Sequence, residues 1–279
     1  LIAEIGINHN GDMNITNKLI DATNATGWDC AKFQKRDPDV CVPEHQKNIM
    51  RETPWGTMKY IDYKHKLEFQ KKEYDIINER CKEKKIAWSA SVWDYNSLDF
   101  LLENYEDTPF VKIPSAINGS HDFLIDACKT KKPILVSLGM SELKQCDKIV
   151  DILKKHSSDF CIMHTNSAYP SPVDQLNLSL IPFFIKRYDC PVGYSGHEMG
   201  LEPSVIASVL GANVIERHVT LDHKMWGSDQ ECSLEVHAMD MLRKRIKSAR
   251  ESIGEPIKKV FEAEAPKIKS LKNDNISRN

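Results

Sequence analysis

Polar side chains that could bind or activate a substrate stand at the ends of eight apolar segments of the sequence. They are Glu4, Lys32 with Gln34, Ser89 with Ser91, Lys112 with Ser115, Ser137, His164 with Asn166, Ser195 with His197, and Glu216 with His218. Lysine supplies positive charge and serine donates hydrogen bonds, a combination that suits a phosphate or a carboxylate. Apolar residues flank both Lys32 and Lys112, whereas lysines are mostly exposed surface residues. The pattern therefore predicts an anion-binding site.

Two histidines in this set predict a metal site. His197 and His218 end neighbouring segments, and neutral imidazole is a good ligand for first-row transition metals. A single histidine at such a position is more often a hydrogen-bonded structural residue, but a pair favours a shared ion. Oxygen co-ligands would favour Mn²⁺ or a related ion. Glu4, across the same opening, is a candidate to orient or deprotonate a water molecule.

The elements that must position these residues alternate between short apolar, β-branched runs and amphipathic stretches. Strands are predicted at Leu1–Ile5, Cys30–Phe33, Ile86–Ser91, Phe110–Ile113, Ile134–Ser137, Phe160–His164, Val192–Tyr194 and Asn213–His218. Helices are predicted near Asn14–Ala25, Lys66–Lys84, Tyr95–Asn104, Asp122–Lys131, Glu142–His156, Leu178–Arg187, Leu201–Leu210 and Glu235–Ser252. Eight strand–helix pairs favour a closed (β/α)8 TIM barrel over an open doubly wound sheet.

Strand geometry brings the polar residues together at one end of this barrel. Residues i and i+2 share a face, so Lys32 projects with Gln34, Ser195 with His197, and Glu216 with His218. Barrel enzymes place their chemistry at the C-terminal ends of the strands. Some of these residues keep a structural alternative: His164 has only its position to suggest a site role, Glu4 could simply pair with Lys32, and His9 lies in an Asn- and Gly-rich turn where it could serve the turn alone.

One domain accounts for most of the chain. We predict a barrel over residues 1–255 and a charged C-terminal extension over 256–279. The longest connection, Lys35–Tyr63, lacks a clear period and is predicted to be a functional or mobile loop.

Composition excludes several classes of protein. Hydrophobic content of 41% and charged content of 28% are ordinary for a soluble globular protein. A net charge of −2 argues against a nucleic-acid or membrane surface. The eight cysteines form no CxxC pair and are expected to be free thiols in a reducing, cytoplasmic compartment. The first residues look like a core strand, so we expect no signal peptide and a few residues before Leu1.

Seven motifs resemble those of the sialic acid synthase family over nearly the whole chain. They are Ala3–Gly11, Ala31–Gln34, Lys112–Ser115, Ser137–Met140, His164–Pro170, Gly193–His197 and Glu216–Thr220. The resemblance implies a metal-dependent condensation of phosphoenolpyruvate with an aldose, which releases phosphate and forms a 3-deoxy nonulosonic acid. It also implies a homodimer.

Site roles carry over from the family by position. The phosphoenolpyruvate contacts would be Lys32, Ser91, Lys112, Ser115, Ser137 and Ser195, with a further polar contact at Asn166 or Ser167. The sugar contacts would be Gln34, Tyr169 and Asp229. His197 and His218 would bind Mn²⁺, with Mg²⁺ or Co²⁺ as alternatives, and Glu4 would handle the attacking water.

Two departures from the family both fall on the sugar side. Many members have a glutamate that meets the sugar where this sequence has Ile117, and many continue into a C-terminal antifreeze-like domain. Either the sequence is truncated or it is a short-form member, and N-acetylmannosamine, its 6-phosphate, mannose and bacillosamine-derived sugars are all open as acceptors. Two other functions are open: a class I barrel aldolase acting on a sugar phosphate through a Schiff base at Lys112 or Lys32, and a non-catalytic binding protein, against which Glu4 and both histidines argue.

Overall fold

Eight parallel strands close on themselves in the order of the chain. The computed structural model describes residues 1–157 and 159–274. Each strand pairs in parallel with the next, and the first pairs with the last. The strands are β1 (Ile2–Gly6), β2 (Cys30–Lys35), β3 (Ala87–Val92), β4 (Val111–Ile113), β5 (Ile134–Ser137), β6 (Phe160–Thr165), β7 (Val192–Gly196) and β8 (Ile215–Thr220). The predicted (β/α)8 barrel is confirmed.

A helix follows each strand and packs on the outside of the barrel. The helices are α1 (Met13–Ala25), α2 (Lys71–Lys84), α3 (Tyr95–Asn104), α4 (His121–Lys129), α5 (Leu143–His156), α6 (Leu180–Tyr188), α7 (Glu202–Val209) and α8 (Val236–Ile253). Helix α5 shows why: Cys146, Ile149, Val150 and Leu153 are buried at a spacing of three or four residues. That spacing gives one apolar stripe, which faces the strands.

The interior of the barrel changes from apolar to polar along the strands. A small cluster that includes Cys30, Phe110, Cys161 and Met163 fills the lower part. Since alternate residues share a face, Lys32 lies one step above Cys30 toward the C-terminal end. Gly193 leaves room for this cluster, because a Cβ there would lie 2.3 Å from Met163 Sδ. The apolar floor thus separates the polar mouth from the opposite end of the barrel.

The long connection after β2 has more structure than the sequence predicted. It contains the short helices Pro38–Cys41 and Glu44–Lys47 and a hairpin of Met50–Arg51 with Met58–Lys59. The prediction of a single helix at Lys66–Lys84 was wrong for the first residues of that range. Two helices, Tyr60–Leu67 and α2, are separated at residues 68–70.

The break between these helices has a local cause and a distant one. Gln70 and Glu73 form a reciprocal capping box that starts α2. Glu68 is held away from helical continuation because its carboxylate accepts hydrogen bonds from Lys35 Nζ at 2.9 Å and from the Arg36 backbone at 3.0 Å. The end of β2 therefore fixes where the inserted segment rejoins the barrel.

The remaining segments are peripheral. Residues 256–274 are exposed and include the short helix Ala265–Leu271, whereas the predicted tail at 275–279 lies outside the described residues. All eight cysteines are free, as predicted, and six of them are buried. Within residues 1–157 and 159–274, no helix is both long enough and apolar enough to cross a membrane.

Candidate active site

A cavity of about 170 Å³ opens at the C-terminal ends of the strands. Twelve of the sequence-predicted site residues line it: Glu4, Lys32, Gln34, Ser91, Lys112, Ser115, Ser137, Ser167, Tyr169, Ser195, His197 and His218. The period of two along each strand therefore brings together side chains from all eight strands or the loops that follow them. Six further residues complete the lining: Trp93, Pro114, Ala116, Met140, Thr165 and Glu216.

Four buried charged side chains line the bottom of the cavity. Lys32 Nζ pairs with Glu4, lies 3.5 Å from Glu216 Oε1 and donates to Ser91 Oγ at 2.8 Å. Lys112 Nζ lies 3.1 Å from each carboxylate oxygen of Glu216. Two lysines thus face two glutamates. Because unpaired charges are very costly to bury, this mutual pairing is what allows all four to remain inside the barrel.

The same packing shifts the pKa values of these groups in different directions. Burial raises the pKa of Glu4, against the attraction of Lys32. Burial would also raise the pKa of Glu216, but Lys112 and Lys32 overcome it and lower that pKa to about 2. Burial lowers the pKa of Lys112, whereas the pKa of Lys32 is raised because Glu216 and Glu4 outweigh its burial. Glu4 is therefore the more basic of the two carboxylates.

Glu216 was one of the strand-end candidates, but the resemblance to the family gave it no role; it lines the cavity. Its carboxylate accepts from Ser195 Oγ at 3.1 Å as well as from Lys112. It therefore engages two of the predicted anion contacts at once. The signal was present in the sequence, since Glu216 and His218 are two residues apart on one strand and must share a face.

Hydroxyl groups line the cavity wall around Gly139. A Cβ at Gly139 would lie 2.3 Å from Ser167 Oγ and 2.7 Å from Ser115 Oγ, so only glycine lets both hydroxyls approach the backbone there. Asn118 Nδ2 donates to the carbonyls of Ser137 at 2.9 Å and Gly139 at 3.2 Å and fixes this loop. The result is a wall of hydroxyl groups in the same cavity as the two lysines, which suits an anion.

The two predicted metal ligands lie side by side at the edge of the cavity. The ring centres of His197 and His218 are 5.4 Å apart, and the ring of Tyr169 lies against His197 with the centres 4.1 Å apart and the planes tilted by 31°. His197 Nδ1 lies 2.6 Å from the Asn166 carbonyl, which makes Nδ1 the protonated nitrogen and leaves Nε2 with a free lone pair. Burial lowers the pKa of His197 to about 4, with a further contribution from His218. Burial also lowers the pKa of His218.

These two imidazoles fit a divalent cation. Both are neutral at pH 7, which is the form that binds metal. His218 Nδ1 is buried, and no hydrogen-bond partner reaches it within the described residues; Asp229 Oδ2 lies 3.7 Å away. No cluster of three or more His, Cys, Asp or Glu side chains arranged for a metal occurs in residues 1–157 and 159–274. Water or substrate oxygens would therefore have to complete the coordination of a cation bound there.

Two sequence-predicted site residues lie outside the cavity. The Asn166 side chain turns away, donating to the Gln175 carbonyl at 3.1 Å and accepting from the Ala168 backbone at 3.0 Å. Its backbone carbonyl, which orients His197, is the part that faces the site. Asp229 approaches His218 from the following loop and has a side chain that is 13% exposed.

The residues whose roles the sequence left open have structural contacts. His164 Nε2 lies 2.7 Å from the Leu176 carbonyl. His9 stacks on Phe69 with ring centres 4.0 Å apart, and its Nδ1 accepts from the Gly11 backbone at 3.0 Å. Ile117 packs against the hydrophobic core. None of the three lines the cavity.

Comparison with known proteins identifies the family of this chain. Residues 19–258 match the model of the NeuB family. The chain is 33% identical to the human N-acetylneuraminate-9-phosphate synthase, over 95% of this chain and 74% of that protein. It is 30% identical to the N,N'-diacetyllegionaminic acid synthase of Campylobacter jejuni, over 100% and 84%.

A solved structure agrees with these relatives. The N-acetylneuraminic acid synthetase of Leptospira borgpetersenii, in complex with citrate, superposes with a TM-score of 0.85 and 28% identity, over 96% of this chain and 90% of that one. The barrel carries two buried lysines and two histidines at its mouth, in agreement with these similarities. This chain belongs to the NeuB family, the family of the sialic acid synthases.

Proposed function

We propose that this enzyme condenses phosphoenolpyruvate with N-acetylmannosamine or a related aldose. The products would be a sialic-type 3-deoxy nonulosonic acid and inorganic phosphate. One observation carries the proposal: two buried lysines and a wall of hydroxyls lie beside two neutral histidines in a single cavity. An anion-binding half and a metal-binding half in contact are what a reaction between a phosphorylated carboxylate and an aldehyde requires. The names of the relatives support the same reaction class.

Lys32, Lys112 and the surrounding hydroxyls would hold phosphoenolpyruvate. Lysine acts as a point charge on phosphate, and Ser115 and Ser167 are close enough together at Gly139 to donate to one anion. In the structure, Lys112 and Ser195 both donate hydrogen bonds to Glu216, so the substrate would have to compete with Glu216 for these two donors. The lysines are already ordered before the anion arrives, which lowers the entropic cost of binding.

His197 and His218 would hold a divalent cation, Mn²⁺ with Mg²⁺ and Co²⁺ as alternatives, whose chemistry there is Lewis-acid activation of the aldehyde. Tyr169, whose ring lies against that of His197, would restrict the orientation of that imidazole. The carbonyl of Asn166 would fix its tautomer.

Glu4 would handle the water. As the methylene carbon of phosphoenolpyruvate bonds to the aldehyde carbon, the C=O π bond would open onto the aldehyde oxygen, positive charge would develop at the enol carbon and water would add there; the proton that this water releases would balance the proton that the aldehyde oxygen takes up. Glu4 would position this water and accept its proton, because its raised pKa makes it the better base of the two carboxylates. The tetrahedral intermediate would then lose phosphate by C–O cleavage, with Lys32 and Lys112 stabilising the departing charge.

A phosphate-release assay tests the proposal. The protein is incubated with phosphoenolpyruvate, Mn²⁺ and N-acetylmannosamine, its 6-phosphate or mannose, and the product is identified by mass spectrometry. We expect phosphate to appear in step with a nonulosonic acid, and Lys112→Met to lower kcat/KM at least about 100-fold. The exposed Lys155 on α5 provides the control, since Lys155→Met should leave the rate unchanged. Absence of phosphate release with every aldose would overturn the proposal.

The lowered pKa of Lys112 keeps the aldolase alternative testable, because a lysine with a depressed pKa is a suitable Schiff-base nucleophile. Borohydride treatment with substrate should leave Lys112 and Lys32 unlabelled. Covalent labelling of either lysine would favour the aldolase instead.

We also propose that the enzyme acts as a homodimer in the cytoplasm. Its eight free cysteines support a reducing compartment. Light scattering on the purified protein measures the oligomeric state, and a monomer at micromolar concentration would refute the dimer.

A further inference from the structure

An arginine outside the cavity contacts one of the side chains that line it. Gln34 lies in β2 and lines the cavity, whereas Arg36 follows the end of that strand. The guanidinium of Arg36 donates a hydrogen bond through Nη2 to the side-chain carbonyl oxygen of Gln34, Oε1. Arg36 is not among the residues that line the cavity, so any effect that it has on the site must pass through its neighbours.

Two side chains hold Arg36 in place. Its guanidinium lies 4.4 Å from the ring centre of Trp93, the residue that follows β3, within the range of a cation–π contact. Its Nε lies 4.0 Å from Glu68 Oε2, and its backbone N–H donates to Glu68 Oε1 at 3.0 Å. The arginine side chain is only 11% exposed. Its orientation is therefore set by the protein and not by solvent.

The amide of Gln34 bridges this cation and a carboxylate. Its Nε2 donates to Glu4 Oε1 at 3.0 Å, while its Oε1 accepts from Arg36. A guanidinium has only donors, and an ionised carboxylate has only acceptors. The reversed amide would place donor against donor and acceptor against acceptor, and both hydrogen bonds would be lost. Arg36 and Glu4 together therefore select one orientation of the Gln34 amide.

The site leaves little room for this amide to move. A Cβ on Gly6 would lie 3.1 Å from Gln34 Nε2, 3.2 Å from Glu4 Oε1 and 3.3 Å from His218 Cε1. The amide, the carboxylate and the imidazole thus converge on the same glycine. A shift of the Gln34 amide would therefore be transmitted directly to the groups that meet there.

We propose that Arg36 is a positioning residue, which fixes the Gln34 amide so that its N–H holds the carboxylate of Glu4 in the orientation that catalysis needs. The inference rests on the proposed function, in which Glu4 is the base for the attacking water. Lys32 pairs with the other carboxylate oxygen, Oε2, so the amide and the ammonium together determine the direction of the carboxylate. A displacement of about 1 Å at a catalytic group can lower a rate by about 100-fold.

A double-mutant cycle tests the proposal. kcat and the KM for phosphoenolpyruvate are measured for the wild type, Arg36→Met, Gln34→Met and the double variant, with Mn²⁺ and the aldose that supports phosphate release. We expect Arg36→Met to lower kcat tenfold or more and to change the KM for phosphoenolpyruvate less than about twofold. In the Gln34→Met background the same substitution should change kcat by less than about twofold, because the amide through which Arg36 acts is no longer there.

Arg80 is the matched control. It donates to both carboxylate oxygens of Asp21, at 2.8 and 2.7 Å, and it lies on α2 away from the cavity lining. Arg80→Met should leave kcat within about twofold of its parent in both backgrounds. Scanning calorimetry establishes that each variant is folded. If Arg36→Met unfolds, Arg36→Lys retains the charge beside Glu68 but lacks the planar fork; it should lower kcat about threefold or more only where Gln34 is present.

Two results would overturn the proposal and leave the proposed function intact. An equal loss of kcat on removal of Arg36 in both backgrounds would assign it a purely structural role. A folded Arg36→Met enzyme with a near wild-type kcat would assign it no role. Absence of phosphate release by the wild type with every aldose would instead overturn the proposed function, and this inference with it.

Discussion

Removing one partner of the Arg217–Glu198 ion pair should destabilise the barrel strongly. Both side chains are fully buried, with Arg217 Nη1 2.9 Å from Glu198 Oε1. Glu198 also accepts from the hydroxyls of Tyr194 at 2.7 Å and Ser204 at 3.1 Å, and Arg217 donates to the Gly200 carbonyl at 2.9 Å. Arg217→Met would leave a buried carboxylate without its counter-ion, and Glu198→Gln would leave a buried guanidinium in the same condition.

The size of the effect follows from this burial. Removing one member of a buried ion pair costs about 3–5 kcal/mol of the free energy of unfolding. For a domain of this size, each kcal/mol lowers the Tm by about 2–4 °C. We therefore expect either substitution to lower the Tm by roughly 6–20 °C in scanning calorimetry, and urea unfolding to give a matching loss of free energy.

A second arginine–glutamate pair on the same side of the barrel provides the control. Arg245 of α8 pairs with Glu202 of α7, but the two side chains are 44% and 69% exposed. Exposed pairs contribute about 0–1 kcal/mol, so Arg245→Met should change the Tm by no more than a few degrees. If Arg217→Met and Arg245→Met melted within about 2 °C of each other, burial would not be the determinant and the reasoning would be refuted.

Three further substitutions test the site and its surroundings. His197→Ala should reduce the Mn²⁺ content of the purified protein, measured by atomic emission, to background, whereas His156→Ala at the exposed end of α5 should not; unchanged content in His197→Ala would refute the ligand assignment. Glu4→Gln should lower kcat about 100-fold or more with little change in the KM for phosphoenolpyruvate, and a near wild-type rate would exclude Glu4 as the base. Burial lowers the pKa of His9 from 6.5 to about 3, so the unfolded chain takes up its proton first and stability falls as the pH drops below about 6.5. His9→Asn should lose about 2 kcal/mol less than the wild type between pH 6.5 and pH 5 in urea unfolding; an identical loss would contradict this assignment.

The fold was predictable because its signals are local. Alternation along a strand is decided within a few residues: Cys30, Lys32 and Gln34 share one face, and so do Glu216 and His218. This alternation, read along each strand, predicts the change from apolar to polar side chains toward the C-terminal end of the barrel. A closed parallel barrel then places every strand end at one opening, which is why so many of the predicted residues meet in one cavity.

Features that depend on distant contacts were not predictable in the same way. The helix break before α2 depends on Glu68 accepting hydrogen bonds from Lys35 and Arg36, which lie more than 30 residues earlier. The helical period alone therefore favoured an uninterrupted helix from Lys66. Likewise, Asn166 faces the site through its backbone carbonyl, and no residue-type argument distinguishes a side-chain role from a main-chain one.

Glu216 combines two effects that oppose each other. As a counter-charge, it offsets part of the cost of burying Lys32 and Lys112, and they in turn lower its pKa to about 2, so it stays charged at neutral pH. As a competitor, it accepts the hydrogen bonds of Lys112 and Ser195, which an incoming phosphate would otherwise accept. Because Glu216 already offsets the charge of the lysines, the binding free energy of an anion is only the difference between its own contacts and those that Glu216 gives up. That difference would weaken the binding of product phosphate as well as that of substrate, so Glu216 would lower the affinity for the substrate and also let the product leave more readily.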